Sequence, residues 1–218
     1  MFSEQLKNDI DDYVAVSRRE SRLLREARTG KLPSSAIGRY FASIHYLLTQ
    51  TPVHLELARE RALAVGEIEL ARYFEHKFEE EQGHAAWAEA DIAKLAQVFG
   101  VAAIQEPAPG IVKITKNTRA AIEKDPFLYL PYILFAEYFT VKFGPDLIGA
   151  FARYCGVPTD AMTAVGNHVE LDRDHVAVGC KEIDALVFDE RRHEALRVML
   201  RDTMRRVTAF YDELCEAA

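Results

Sequence analysis

Apolar positions Leu6, Ile10, Tyr13, Val14, Leu23, Leu24 and Ala27 recur at helical spacing over residues 3–29, and Gly30 with Pro33 supplies a stop. A first helix is predicted there. Ser34 or Ser35 can cap a second, running through IGRYFASIHYLL, which Thr51-Pro52 interrupts before VHLELARERALAV resumes; the pattern predicts a kinked helix or a helix pair. Residues 67–99 read as one long amphipathic helix ended by Gly100, and VAAIQEPAPG (101–110) is the clearest loop.

A shorter helix is predicted around residues 112–124. Asp125-Pro126 then opens PFLYLPYILFAEYFTVKFG, the most apolar and aromatic segment and so a core element. A short helix after Pro145 ends at Gly156, Thr159 can cap a long one over 160–187, and Asp189 can open an Arg-rich last helix. The last helix carries a stripe of Leu196, Met199, Leu200, Met204, Val207 and Tyr211, read as core with a homodimer interface as the alternative. Seven or eight helices and no alternating β pattern predict an all-α fold, in a single domain over 1–218.

Composition narrows the function classes. With 49% hydrophobic and 28% charged residues and few Gly or Pro, the chain is globular. A formal charge of -7 with no local run of Lys and Arg argues against nucleic acid and anionic lipid as partners. No uninterrupted apolar stretch of about 18 residues occurs, and MFSEQLKNDIDDY is acidic where a signal peptide would be basic. Cys155, Cys180 and Cys215 form no CxxC pair, so reduced thiols and a cytoplasmic location are expected.

Three segments carry candidate chemistry. In FEHKFEEEQGHAAWAEAD, Glu81 and His84 lie three residues apart and share a helical face with Phe74, Phe78 and Trp87, whereas Glu75, Glu79 and Glu89 read as a solvated face. Alone, this spacing equally describes a surface pair. Glu137 is the only acid between Pro126 and Gly144, with Leu130, Ile133, Leu134, Thr140 and Val141 as helical neighbours, so a lone carboxylate is being buried and needs a partner. An Arg-paired or protonated structural Glu is the plainer alternative. In NHVELDRDH, His168, Asp172 and His175 line two turns of one face bordered by Val165, Leu171 and Val178; a polar surface stripe would look similar.

Jointly these are three carboxylates and three imidazoles on core helices. Packed together without cations, the acids would repel, whereas two divalent ions would neutralise most of the charge. Oxygen and nitrogen donors without thiolate suit iron or manganese, with zinc an alternative. A ferritin-like bundle could arrange such a set as Glu56, Glu81 with His84, Glu137, and Asp172 with His175, but would leave His168 unexplained.

EEEQGHAAWAEAD, the isolated Glu in LFAEYF, and HVELDRDH resemble the heme-oxygenase-like diiron oxidases of the TenA and PqqC superfamily, over about Phe41 to Val187. The resemblance implies a heme-oxygenase-like helical bundle in which Glu81, His84, Glu137, His168, Asp172 and His175 hold two Fe ions, with Mn as an alternative. It further implies O2 as co-substrate, an electron donor, and a small amine- or carboxylate-bearing substrate undergoing N-oxygenation or oxidative C–C cleavage. Some members place the first Glu two turns before its His, where this sequence has Lys77, and some use a further upstream Glu, for which Glu56 is the candidate. Thiaminase-type relatives use a catalytic Cys, and none of the three here lies beside these motifs; heme oxygenases use a His near the chain start, and the first here is His45. Tyr129, Tyr132, Phe135 and Tyr138 are candidates for a pocket wall, with plain core packing as the alternative. A metal-free ligand-binding or scaffold protein of the same fold, and a ferritin-like dimetal protein, remain the alternatives.

Overall fold

A computed structural model of the chain describes residues 1–100 and 105–216. Among these residues nine α-helices and two 3-10 turns form, and no strand. Residues 101–104 of the expected loop lie outside the described set.

The predicted first helix is two. α1 (Phe2–Glu20) buries Leu6, Ile10 and Val14 on one face, and Ser21 then leaves the helical region and caps α2 (Arg22–Arg28), its hydroxyl accepting from the Leu24 N–H. Gly30, at φ +66°, ends that helix as expected. α3 (Ser34–Ala64) runs through Pro52 as one helix, so of the two expected alternatives the helix pair is not formed. Around the proline, Thr49 and Thr51 donate their hydroxyls to the carbonyls of Tyr46 and Leu47, adding bonds on that turn.

The predicted 67–99 helix is cut into α4 (Ile68–Glu81) and α5 (Ala85–Phe99). Gly83, at φ +84°, turns the chain between them. α6 (Pro109–Lys124) starts at a proline in its first turn, earlier than predicted, and its Gly110 N–H donates to Glu213 of the last helix.

Asp125 accepts from the Phe127 N–H at a 3-10 turn (Pro126–Tyr129) that leads into α7 (Leu130–Cys155). The expected break at Pro145 is absent. Arg18 of α1 clasps this stretch from outside, donating to the Lys142 carbonyl and to Asp146 on either side of the proline. α7 ends at Gly156, φ +72°. A second 3-10 turn (Thr159–Ala161) precedes α8 (Thr163–Leu186). α9 (Glu190–Glu216) begins after Asp189, whose carboxylate accepts from the Arg191 N–H.

α7, the apolar segment, runs along α8 with α1, α2 and α9 around it, while α3 packs on α4, α5 and α6. Buried apolar side chains from all nine helices belong to one cluster. Leu196, Leu200, Met204 and Tyr211 of the α9 stripe are buried in it, so that stripe serves the core. No described helix is long and apolar enough to cross a membrane.

Candidate metal centre

The six residues singled out in the sequence converge on the inner faces of α4, α7 and α8 and the start of α5. They divide into two groups, Glu81 with His84 and His168, and Glu137 with Asp172 and His175; in each, one donor atom per residue lies within 4.8 Å of the others.

Glu81 and His84 do not share a helix face as predicted. Glu81 is the last residue of α4 and His84 stands at the cap of α5, the Gly83 turn folding one back towards the other. His84 Nδ1 is 3.2 Å from Glu81 Oε2, and His168 Nε2 is 4.0 Å from the same oxygen. The His84 ring stacks on Trp87 at 4.3 Å and meets His168 edge-on at 4.9 Å. His168 Nδ1 lies 2.7 Å from the Ala164 carbonyl, which can only accept, so Nδ1 carries a proton and Nε2 is the ring nitrogen that faces Glu81.

In the second group, Asp172 Oδ1 and His175 Nδ1 are 3.3 Å apart, and neither buried atom has a hydrogen-bond partner among the described residues. Glu137 is paired. The ammonium of Lys77, a side chain only 2% exposed, lies 2.8 Å from Glu137 Oε1 and 2.8 Å from Glu80 Oε2. Glu80 also approaches His175 Nε2 at 3.8 Å and His76 Nε2 at 3.2 Å.

The electrostatics differ between the groups. Burial opposes charge on Glu81, but His168 and His84 outweigh it and hold the carboxyl down at about 2. Burial likewise works against protonated His168, and Glu81 with Asp172 reverses this and raises it. Burial pushes Glu137 up to about 7 against the opposing pull of Lys77, and Asp172 up to about 8 against that of His168. Burial and Lys77 lower His175. Lys77 itself is raised, because Glu137 and Glu80 more than offset its desolvation.

Four of the donors, Glu81, Glu137, His168 and Asp172, line a cavity of about 170 Å³ together with Lys77. Beyond them the walls are largely apolar and reach Phe210 and Tyr211 of α9. Tyr129, Tyr132 and Phe135 are buried in the core, as the plainer expectation has it, and also line the cavity, whereas Tyr138 turns outward and donates its hydroxyl to Asp11. Leu171 and Val178, read as bordering the inward stripe of α8, are nearly half exposed, whereas Val165 lines the cavity.

Glu56 is exposed on α3 and joins neither group, and His168 is central to one, so the ferritin-like assignment does not describe this site. Sequence reasoning noted Lys77 only as a departure and passed over Glu80. The available signal was a lysine three residues after buried Phe74 on the inward stripe of an amphipathic helix, a place where a charge needs a partner. Asp91 was also missed. It is buried on α5 and caps α8, accepting from the Thr163 N–H and hydroxyl through Oδ1 and from the Ala164 N–H through Oδ2.

No family model and no curated protein matches this chain. Solved structures do. A domain of unknown function with a heme oxygenase-like fold from Shewanella denitrificans is 15% identical with a TM-score of 0.79, the match covering 98% of this chain and 90% of that one. A TenA homolog from Pseudomonas syringae pv. tomato is also 15% identical, with a TM-score of 0.72 over 99% of this chain and 93% of its own. A CADD-like protein of unknown function from Nostoc punctiforme gives 15% identity and a TM-score of 0.64, covering 97% and 98%.

Proposed function

From a chain with the heme-oxygenase-like fold, we propose a non-heme oxidoreductase that uses two iron ions, or manganese, and O2 to oxidise a small molecule. The observation that supports this is the gathering of six oxygen and imidazole donors into two groups, four of them lining an apolar cavity. Glu81, His84 and His168 would hold one ion, and Glu137, Asp172 and His175 the other. A donor set without thiolate suits iron or manganese, and Asp172 Oδ1 and His175 Nδ1, 3.3 Å apart, are buried atoms without a hydrogen bond that a cation would satisfy.

Bound iron would supply stepwise reduction of O2 to an oxidant able to attack C–H or amine groups, with electrons from a separate donor. The protein sets the geometry. The bond from His168 Nδ1–H to the Ala164 carbonyl keeps Nε2 aimed at Glu81, and the Trp87 stack holds the His84 ring in place. The apolar walls would seat the body of an amine- or carboxylate-bearing substrate and keep bulk water from the cluster, favouring N-oxygenation or oxidative C–C cleavage. The three free thiols fit a reducing cytoplasm, where we place the protein.

A metal-free ligand-binding protein of the same fold is the second reading, favoured by the Lys77–Glu137 pair, which balances one buried carboxylate without a metal. Metal content separates the two. Anaerobically purified protein given Fe(II) is expected to retain iron and to consume O2, with a visible absorption change, and to lose the iron when His168 is replaced by Ala. Retention of no Fe(II), Mn(II) or Zn(II) would leave the binding-protein reading.

A further inference from the structure

The two donor groups are unequal in one respect that bears on how they fill. Among the described residues, the group of Glu81, His84 and His168 has no lysine or arginine in ion-pair contact, whereas Glu137 of the other group already holds the ammonium of Lys77 at 2.8 Å. Lys77 is buried, also lies 2.8 Å from Glu80 Oε2 in an ion-pair contact, and lines the same cavity as four of the donors. An ammonium and a divalent ion that share one carboxylate in a poorly hydrated interior repel each other, because their repulsion is only weakly screened there. The ion therefore binds weakly until the ammonium moves.

We propose that Lys77 is a built-in counter-ion which makes metal loading ordered. The Glu81, His84 and His168 group takes an ion directly. The Glu137, Asp172 and His175 group takes one only when the Lys77 ammonium moves off Glu137, and Glu80, one turn further along α4, is the carboxylate that keeps the displaced ammonium paired. Asp172, 2% exposed, and His175 face each other at 3.3 Å without a hydrogen bond between Oδ1 and Nδ1, and Nζ of Lys77 reaches Glu137 and Glu80 but neither of those atoms, which leaves both for an ion. This inference rests on the metal-binding reading above.

The test is equilibrium titration of the metal-free protein with Mn(II) alone, anaerobically, counting ions per chain and following the Mn(II) spin signal. Wild type is expected to bind one ion at least about tenfold more tightly than a second. Lys77→Met is expected to bring the second affinity to within about threefold of the first and to give the spin-coupled signal of a pair at two equivalents. Lys77→Gln, which can still hydrogen-bond Glu137, serves where Lys77→Met is insoluble. Two equal sites in wild type, or a second affinity unchanged in a folded Lys77 variant, would overturn the proposal while leaving the metal centre standing. Absence of any bound ion in wild type would overturn the metal-binding reading, and this inference with it.

Discussion

Asp91 on α5 and Thr163 at the start of α8, 72 positions apart in sequence, meet through two hydrogen bonds to one carboxylate oxygen, at 2.9 Å from the Thr163 N–H and 2.7 Å from its hydroxyl. The other oxygen of Asp91 takes the Ala164 N–H at 2.8 Å. The cap therefore comes from a different helix and ties α8 to α5. Ala164 in turn provides the carbonyl that orients His168, so the link joins the helix end to a candidate metal donor.

Asp91→Ala should lose the cap and leave two N–H groups unpaired, the buried one of Ala164 and the half-buried one of Thr163, lowering stability by about 1–3 kcal/mol. Urea unfolding measures this. The same variant should bind metal more weakly than wild type, because His168 loses its anchored helix end; wild-type metal affinity in a destabilised variant would break that connection.

His168→Ala should weaken metal retention by at least about a hundredfold, whereas Glu56→Ala, on an exposed position of α3, should leave it unchanged. Iron per chain after desalting decides the matter. Loss of iron from the Glu56 variant with retention in the His168 variant would restore a ferritin-like ligand set.

The metal-free protein should lose stability as pH rises from about 4 to about 8. Folded pKa values of about 7 for Glu137 and about 8 for Asp172 lie above those of the unfolded chain, so the native state binds more protons across that window. The raised His168 acts in the same direction, its contribution being present below its unfolded pKa and lost as pH rises through the folded one. The lowered His175 acts against them. Glu81, held down at about 2, contributes stability above its unfolded pKa that is lost only as pH falls towards 2. Urea midpoints at pH 5 and pH 8 should show the lower value at pH 8, and saturating metal should shrink the difference, since bound cations favour the ionised carboxylates.

Ala136→Phe should fill the cavity beside Glu137 without touching a donor atom. Binding of an apolar fluorescent probe is expected to fall by about tenfold or more while the metal count stays the same. An unaltered probe affinity would mean that ligands enter elsewhere.

Much of this protein was legible in its sequence. The helical class follows from apolar residues repeating at helical spacing, and the six candidate donors stood out by their spacing and by Glu137 being a lone acid in an apolar segment, although the face read for Glu81 and His84 and the border read from Leu171 and Val178 were not what the structure has. What the periodicity misjudged were the breaks. Gly83 cuts a helix that its neighbours would continue, whereas Pro52 and Pro145 sit inside helices that local rules would end. Side-chain hydrogen bonds brace those turns, in one case from a different helix, and no local window contains that partner.

The sequence by itself determined that the segments are helical, where most of the apolar residues fall, and which donor types are present, because these depend on neighbours within a turn or two. Only the tertiary structure decided that the donors form two groups, that Lys77 answers Glu137 across 60 positions, that Asp91 caps α8, and that Tyr138 turns away from the cavity. These outcomes depend on burial and on contacts between distant segments. A buried charge selects its partner from whatever the packed helices bring within about 3 Å, which sequence spacing does not specify.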